Sequence, residues 1–210
     1  MSDSKKHWEQ IYSAKAPLEV SWYQKNTTLS IQFIRNTHIA LDAPIIDVGG
    51  GASVLVDNLS DQGYSNISVL DISSTAIKHA QERLGRKASK IEWFIQDITQ
   101  FAPPHNFSLW HDRAVFHFLT EKSERDDYVK AVKRTLDLDG HLIIAAFAIG
   151  GPAKCSGLSI VQYDAKRLLA ELGDEFNLVE EMDELHMTPD NKQQKFSYFR
   201  FVRQFAETYA

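Results

Sequence analysis

Along the chain, short β-branched runs that close on Asp or Gly alternate with stretches whose apolar positions recur every three or four residues. The first run, residues 44–50, reads PIIDVGG and is followed by Leu55 and Leu59 before Gly63. Positions four apart share one helix face, and glycine commonly follows a helix C-terminus, so this predicts strand, turn, helix and stop. The unit recurs. Residues 66–72, NISVLDI, predict a second strand, and Ser73 then caps a helix that aligns Ala76, Ile77, Ala80 and Leu84 and closes at Gly85. IEWFIQD, ending at Asp97, predicts a third strand and FSLWHDRA, residues 107–114, a fourth. Tyr128, Val129, Val132 and Leu136 mark the next helix, Asp139-Gly140 a turn, and HLIIAAFAI a buried fifth strand. A helix bearing Leu168, Leu169 and Leu172 ends at Gly173. Two strands follow, around 176–181 and 194–203, with no helical pattern between them. Upstream, residues 4–13 and 28–41 predict two more helices, the second carrying Leu29, Phe33, Ile34 and Ile39.

Alternating strands and helices imply right-handed βαβ units and a sheet covered on both faces. The expected fold is α/β: a doubly wound, mainly parallel seven-stranded sheet, its last strand antiparallel, behind an N-terminal helical preface. The expected organisation is a single domain over residues 1–210, with a preface (1–43), a core (44–149) and a C-terminal helix and hairpin (150–210).

Composition narrows the function by exclusion. Lys+Arg against Asp+Glu is 23 against 28, a net charge of −5, and the densest basic stretch, residues 78–90, is broken by Gln81, Glu82 and Gly85. Phosphate-driven binding needs a basic patch, so nucleic acid is not an expected partner. The longest apolar run, residues 142–149, is far short of the ~20 residues that span a bilayer, so no membrane is expected either. The N-terminal MSDSKKHWEQIY lacks the apolar segment of a secretory signal. One cysteine, Cys155, excludes an internal disulfide and a Cys-rich zinc site, which suits a cytoplasmic location.

In such sheets ligands bind beyond the carboxyl ends of the strands. After the first strand, Asp47-Val48-Gly49-Gly50-Gly51 places glycines where strand turns to helix, open to close approach by a ligand or serving as a bare turn. Asp71 closes the second strand, where a carboxylate can accept from both ribose hydroxyls or cap the helix beyond, and Ile72 follows it. Asp97 and Ile98 after the third strand suit an adenine amino group and ring face. A dinucleotide fingerprint would need glycine at Val54, and no G-x-x-x-x-G-K-[ST] loop is present.

An acidic residue ahead of the glycines, with Asp71 and Asp97, resembles the class I S-adenosylmethionine-dependent methyltransferases over residues 45–149. Ser53 stands where that family usually has a third loop glycine. HWEQIY (7–12) and SWYQ (21–24) are similar to the N-terminal segment of the elongation-factor lysine methyltransferases and their relatives. The resemblance implies S-adenosyl-L-methionine as cofactor and Trp8, Tyr12 and Trp22 lining its site. It also implies that Arg113 on the fourth strand is presented toward the cofactor. It implies methyl transfer to a protein side chain or a small molecule.

No catalytic residue is singled out. His111, Asp112 and His117 lie near the fourth-strand exit, with His111 and Arg113 on one face and Asp112 on the other. His186, in the loop before the last strand, could reach the same mouth, and Cys155 is expected on a loop as an ordinary free thiol. The motif (D/N)-P-P-(Y/F/W) of nucleic-acid amino methyltransferases is absent after the fourth strand, which reads DRAVFHF. A non-catalytic interaction module and a nicotinamide-dependent oxidoreductase stay open as alternatives. A sheet that begins at residue 45 should not depend on residues 1–25 for its core.

Overall fold

The computed structural model describes residues 3–205. Helices α1 (Asp3–Ala14) and α2 (Thr28–Arg35) precede β1 (Ile45–Val48), α3 (Leu55–Asp61), β2 (Ile67–Asp71), α4 (Ser74–Leu84) and β3 (Glu92–Ile95). Then come β4 (Phe107–Arg113), α5 (Lys122–Thr135), β5 (Leu136–Phe147) and a two-stranded ribbon, β6 (Lys154–Cys155) and β7 (Leu158–Ser159). Helix α6 (Ala165–Leu172) leads into β8 (Phe176–Met187) and β9 (Gln193–Arg203). The main sheet runs β3-β2-β1-β4-β5-β9-β8, and β9 runs antiparallel to the other six strands.

Strand alternation sorts the core into two layers. Ile45, Val69 and Leu109 pack with α2, α3 and α4 on one face; Ile46, Val48, Leu70 and Trp110 pack with α5 and α6 on the other. The chain leaves β1 toward β2 and β3, then returns to β4 on the other side of β1. Strand order therefore reverses between β1 and β4, and the crevice at their carboxyl ends is where a ligand site is expected.

Four local expectations are corrected. The helix predicted over 28–41 stops at Arg35, because Thr37 Oγ1 donates back to the Ile34 carbonyl at 2.6 Å and His38 turns left-handed, φ 56°. Leu136 begins β5 instead of ending a helix. Between the pairs Phe107↔Leu136 and Leu109↔His141, β4 advances two residues and β5 five. The excess loops out through Asp139, φ 60°, so the Asp139-Gly140 turn is a bulge inside β5. Strand β8 runs to Met187, well past 181, so His186 is on a strand and not in a loop. As an edge strand it exposes charged residues that hide its alternation in the sequence. Cys155 likewise lies on β6 rather than on a loop.

The preface packs against the turn after β1 and against α4. Tyr12 and Val20 are buried. Helix α1 lies against α4, and Glu9 accepts hydrogen bonds from Ser73 Oγ (3.0 Å), Ser74 N–H (2.7 Å), Ser74 Oγ (2.7 Å) and Thr75 N–H (3.2 Å). A carboxylate at a helix N-terminus satisfies orphan N–H groups and complements the helix dipole. Burial pushes Glu9 up, but these bonds outweigh it and hold the carboxyl at about 2.

Candidate active site

The carboxyl ends of β1, β2 and β4, the turn after β3 and the preface enclose a cleft of about 990 Å³. Nine of the eleven residues expected at a cofactor site line it: Trp8, Tyr12, Trp22, Gly49, Asp71, Ile72, Asp97, Ile98 and Arg113. Asp47 and Gly51 do not.

Asp71 ends β2 nearly buried, 6% exposed, and its Oδ1 accepts the Ser73 N–H at 2.8 Å. Burial raises its carboxyl to about 7; the Ser73 bond opposes this, and the nearby charges of Asp47 and Glu9 add to it. Gly51 explains how a carboxylate fits there, since a Cβ on Gly51 would run into Asp71 Oδ2. Gly49, at φ 68°, makes room for Val115 of the segment after β4 in the same way. The space freed by both glycines is thus filled by protein. Both glycines let Asp71 and Val115 approach, and Gly49 also lines the cleft.

Beyond β3, Asp97 Oδ1 accepts from Thr99 N–H at 3.0 Å and Thr99 Oγ1 at 2.8 Å, which fixes the short turn carrying the buried Ile98. Across the cleft stand the preface aromatics. Trp8 packs edge-on against Trp22 at 5.6 Å between centroids and against Phe118 at 4.9 Å, and Tyr12 meets Trp22 at 6.1 Å. Trp8 and Tyr12 present one face because they are one helical turn apart on α1.

Arg113, at the end of β4, is braced on three sides. Nε donates to Tyr198 Oη at 2.8 Å, Nη1 to the Trp22 carbonyl at 3.1 Å and Nη2 to Glu184 at 3.3 Å, while the guanidinium lies 4.3 Å over the Phe196 ring. It faces the cleft and at the same time fastens the Trp22 segment to the sheet. Asp47 faces a second, smaller recess of about 550 Å³, shared with Ser30, His111 and Arg113. Its Oδ1 accepts from His111 Nδ1 at 2.8 Å, whereas Oδ2 is buried without a hydrogen-bond partner among the described residues.

Candidate proton-transfer groups are committed elsewhere. Asp112 points to the opposite face, toward Tyr128, and is raised to about 6 by burial against its hydrogen bonds. His117 is fully buried beside Phe147 and accepts that residue's N–H at 3.3 Å; burial, helped by Arg113, drives its ring down to about 3. His186 contacts the Ser21 carbonyl at 2.8 Å and holds the preface. Neither His117 nor His186 lines the cleft. Cys155 does line it, buried, with its thiol raised by burial. No cluster able to hold a metal ion occurs among the described residues.

Glu9, Ser30, Val115, Phe118 and Tyr198 were not legible as site residues. Glu9 meets partners more than sixty positions away, and nothing in its neighbourhood marks it. Phe118 had a signal, one residue beyond His117 in the segment that follows β4.

A family model described as a methyltransferase domain matches residues 45–140, the stretch that builds β1 to the bulge of β5. The human EEF1A lysine methyltransferase 2 is 24% identical over 197 residues, covering 85% of this chain and 76% of that protein. The bovine eEF1A lysine and N-terminal methyltransferase is 26% identical over 68% of this chain, which spans only 21% of that longer protein. Among solved structures, the N-methyltransferase NodS of Bradyrhizobium japonicum WM9, in complex with S-adenosyl-L-homocysteine, has the same fold. It superposes with a TM-score of 0.70 at 18% identity, covering 93% of this chain and 97% of that one. Residues 45–140 thus match a methyltransferase domain, and by its sheet order, the position of its cleft and these relatives the chain is similar to the class I S-adenosylmethionine-dependent methyltransferases.

Proposed function

We propose that the enzyme binds S-adenosylmethionine along the cleft and transfers its methyl group to a nitrogen on a protein. The observation that carries the first half is the convergence of Asp71, Asp97, Ile98 and the Trp8–Tyr12–Trp22 wall on one cavity. Asp71 accepts from the ribose hydroxyls, and Ile72 packs beside it. Asp97 and Ile98 take the adenine amino group and ring face. The amino-acid end turns toward the smaller recess, where Asp47 Oδ2 is free to accept an ammonium and Arg113 stands close by. Gly49 and Gly51 shape the turn that brings these groups together. Preface, core and C-terminal hairpin act as one domain, since Arg113 joins the Trp22 carbonyl to Glu184 of β8.

Bound there, the cofactor supplies a methyl group already activated by a sulfonium. The chain's own work is orientation and exclusion of water. Trp8, Tyr12 and Trp22 cover the cleft and present ring faces that favour a cation. No histidine lines the main cleft among the described residues, so an amine acceptor loses its proton to water or to a carboxylate at the mouth, not to imidazole.

Support for a protein nitrogen comes from the printed activities of the human and bovine relatives, both lysine methyltransferases. The net charge of −5 argues against nucleic acid, and the unpaired, buried Cys155 suits the cytoplasm. No helix among the described residues is long and apolar enough to cross a membrane. The test is transfer of a radiolabelled methyl group to a cell lysate split into protein and small-molecule fractions. Label in protein, retained after nuclease treatment, is the expected result; label confined to small molecules overturns the protein acceptor.

A further inference from the structure

Asp47 and His111 are register partners on the adjacent parallel strands β1 and β4, so their side chains leave the same face side by side. From this pair a short line of buried polar atoms runs to Ser30 on α2. His111 Nδ1 lies 2.8 Å from Asp47 Oδ1 and Nε2 lies 3.0 Å from Ser30 Oγ. Separately, the Tyr198 hydroxyl accepts from Arg113 Nε at 2.8 Å. Asp47, His111, Ser30 and Tyr198 are all 3% exposed or less.

A carboxylate can only accept, so His111 Nδ1–H donates to Asp47 and Nε2 accepts from the Ser30 hydroxyl. A single tautomer of His111 satisfies both bonds. At the line's end one atom is left over: Asp47 Oδ2 is buried and without a partner among the described residues. A buried group left without a partner is costly, so a line that holds it there works against stability. A cation arriving with the ligand relieves that cost.

We infer that His111 is a positioning residue for the amino-acid end of the cofactor: by engaging Oδ1 it fixes the rotation of Asp47 and aims Oδ2 at the ligand's ammonium group. This role rests on the placement of that ammonium at Asp47 proposed above.

The experiment compares two ligands by calorimetry. S-adenosylhomocysteine carries the ammonium and carboxylate; methylthioadenosine has the same adenosine thioether without them. Asp47→Asn should weaken the first by ~10-fold or more and leave the second within about twofold. His111→Gln keeps a donor at the Nε2 position only and should reproduce that selective loss. His111→Asn keeps a donor at the Nδ1 position and should restore affinity to within about threefold of the parent. If Asp47→Asn affects both ligands equally or neither, the ammonium is not at Asp47 and the proposal falls with that placement. If Asp47→Asn is selective and His111→Gln is not, the placement stands and the positioning role is overturned. Should His111→Gln fail to fold, Ser30→Ala decides. Selective weakening of S-adenosylhomocysteine, by roughly threefold, supports the line, and equal effects on both ligands overturn it.

Discussion

Strand β4 carries a buried polar network on each face, and the two end differently. Toward α5, both oxygens of Asp112 are used: Oδ2 accepts from Tyr128 O–H at 2.7 Å and Phe116 N–H at 3.1 Å, and Oδ1 from Val115 N–H at 2.9 Å. Tyr128 itself accepts from Trp110 Nε1 at 3.0 Å. Toward α2, the line through His111 stops at Asp47 with one oxygen unspent. Neighbouring residues of one strand thus serve two purposes. A network with every group satisfied fixes a loop, here the turn that presses Val115 against Gly49. A network with one group left open is prepared for a ligand, at some cost to the free protein.

The largest expected effect tests the closed side. Asp112→Ala strands the Tyr128 hydroxyl and two backbone N–H groups in the core, and should cost ~3–4 kcal/mol. For a chain of this size that lowers the melting temperature by roughly 10 °C. Asp47→Ala should cost less than ~1.5 kcal/mol, because an unsatisfied oxygen leaves with it. The reverse order in thermal unfolding would break the comparison.

Next comes the ribose carboxylate. Asp71→Ala should weaken S-adenosylhomocysteine by ~10–100-fold with the fold retained, since a hydrogen bond to a charged group contributes ~1.5–3 kcal/mol. Unchanged affinity in a folded variant would remove Asp71 from the site. Glu9→Ala should then cost ~1–2 kcal/mol of stability, the scale of a lost N-cap, and weaken binding less than Asp71→Ala does. It touches the site only through the turn at Ser73, so an affinity loss equal to that of Asp71→Ala would show that α1 acts mainly as a binding wall.

The smallest effect is a pH slope. Asp71 in the free protein is raised to about 7 by burial, with Asp47 and Glu9 nearby. Ribose hydroxyls donate to the carboxylate and favour its charged form, so binding expels a proton below that value. Affinity should therefore rise with pH up to about 7, by at most ~10-fold per pH unit, and Asp71→Asn should flatten the profile. Stability of the ligand-free protein runs the other way. Asp71 and Asp112 have folded values above the usual 3.8, so the folded state binds their protons more tightly. Their contribution falls as pH rises from about 4 through the two folded values, about 6 and about 7. Calorimetric titrations and melting curves at about pH 6 and pH 8 check both signs.

Much of this was legible along the chain. Strand ends at Asp47, Asp71 and Asp97, the helix caps at Ser73, Gly85 and Gly173 and the aromatic spacing of Trp8 and Tyr12 are local patterns, set by backbone geometry over a few residues. They suffice for the sheet and for the acidic strand ends that meet in the cleft; the cofactor, the preface aromatics and Arg113 were implied by the family resemblance that these residues carry. The elements that misled were those where a local rule met a distant partner. Leu136 fits a helix by spacing, yet β4 claims it as a strand partner; His186 looks like loop, yet β9 pairs with it.

What tertiary structure alone decided is which polar atoms are satisfied. Ser30 and His111 are separated by more than eighty positions, and no periodicity links them. Whether a glycine admits a ligand or a neighbouring side chain depends on what fills the space, here Val115 and Asp71. Likewise, the same side chain, an aspartate on a buried face, is closed at Asp112 and open at Asp47. Hydrophobic burial is recorded in sequence as a repeating pattern because every turn or alternate residue must obey it. Hydrogen-bond satisfaction is a count over atoms that only the folded chain brings within 3 Å of one another, and so it becomes visible only in three dimensions.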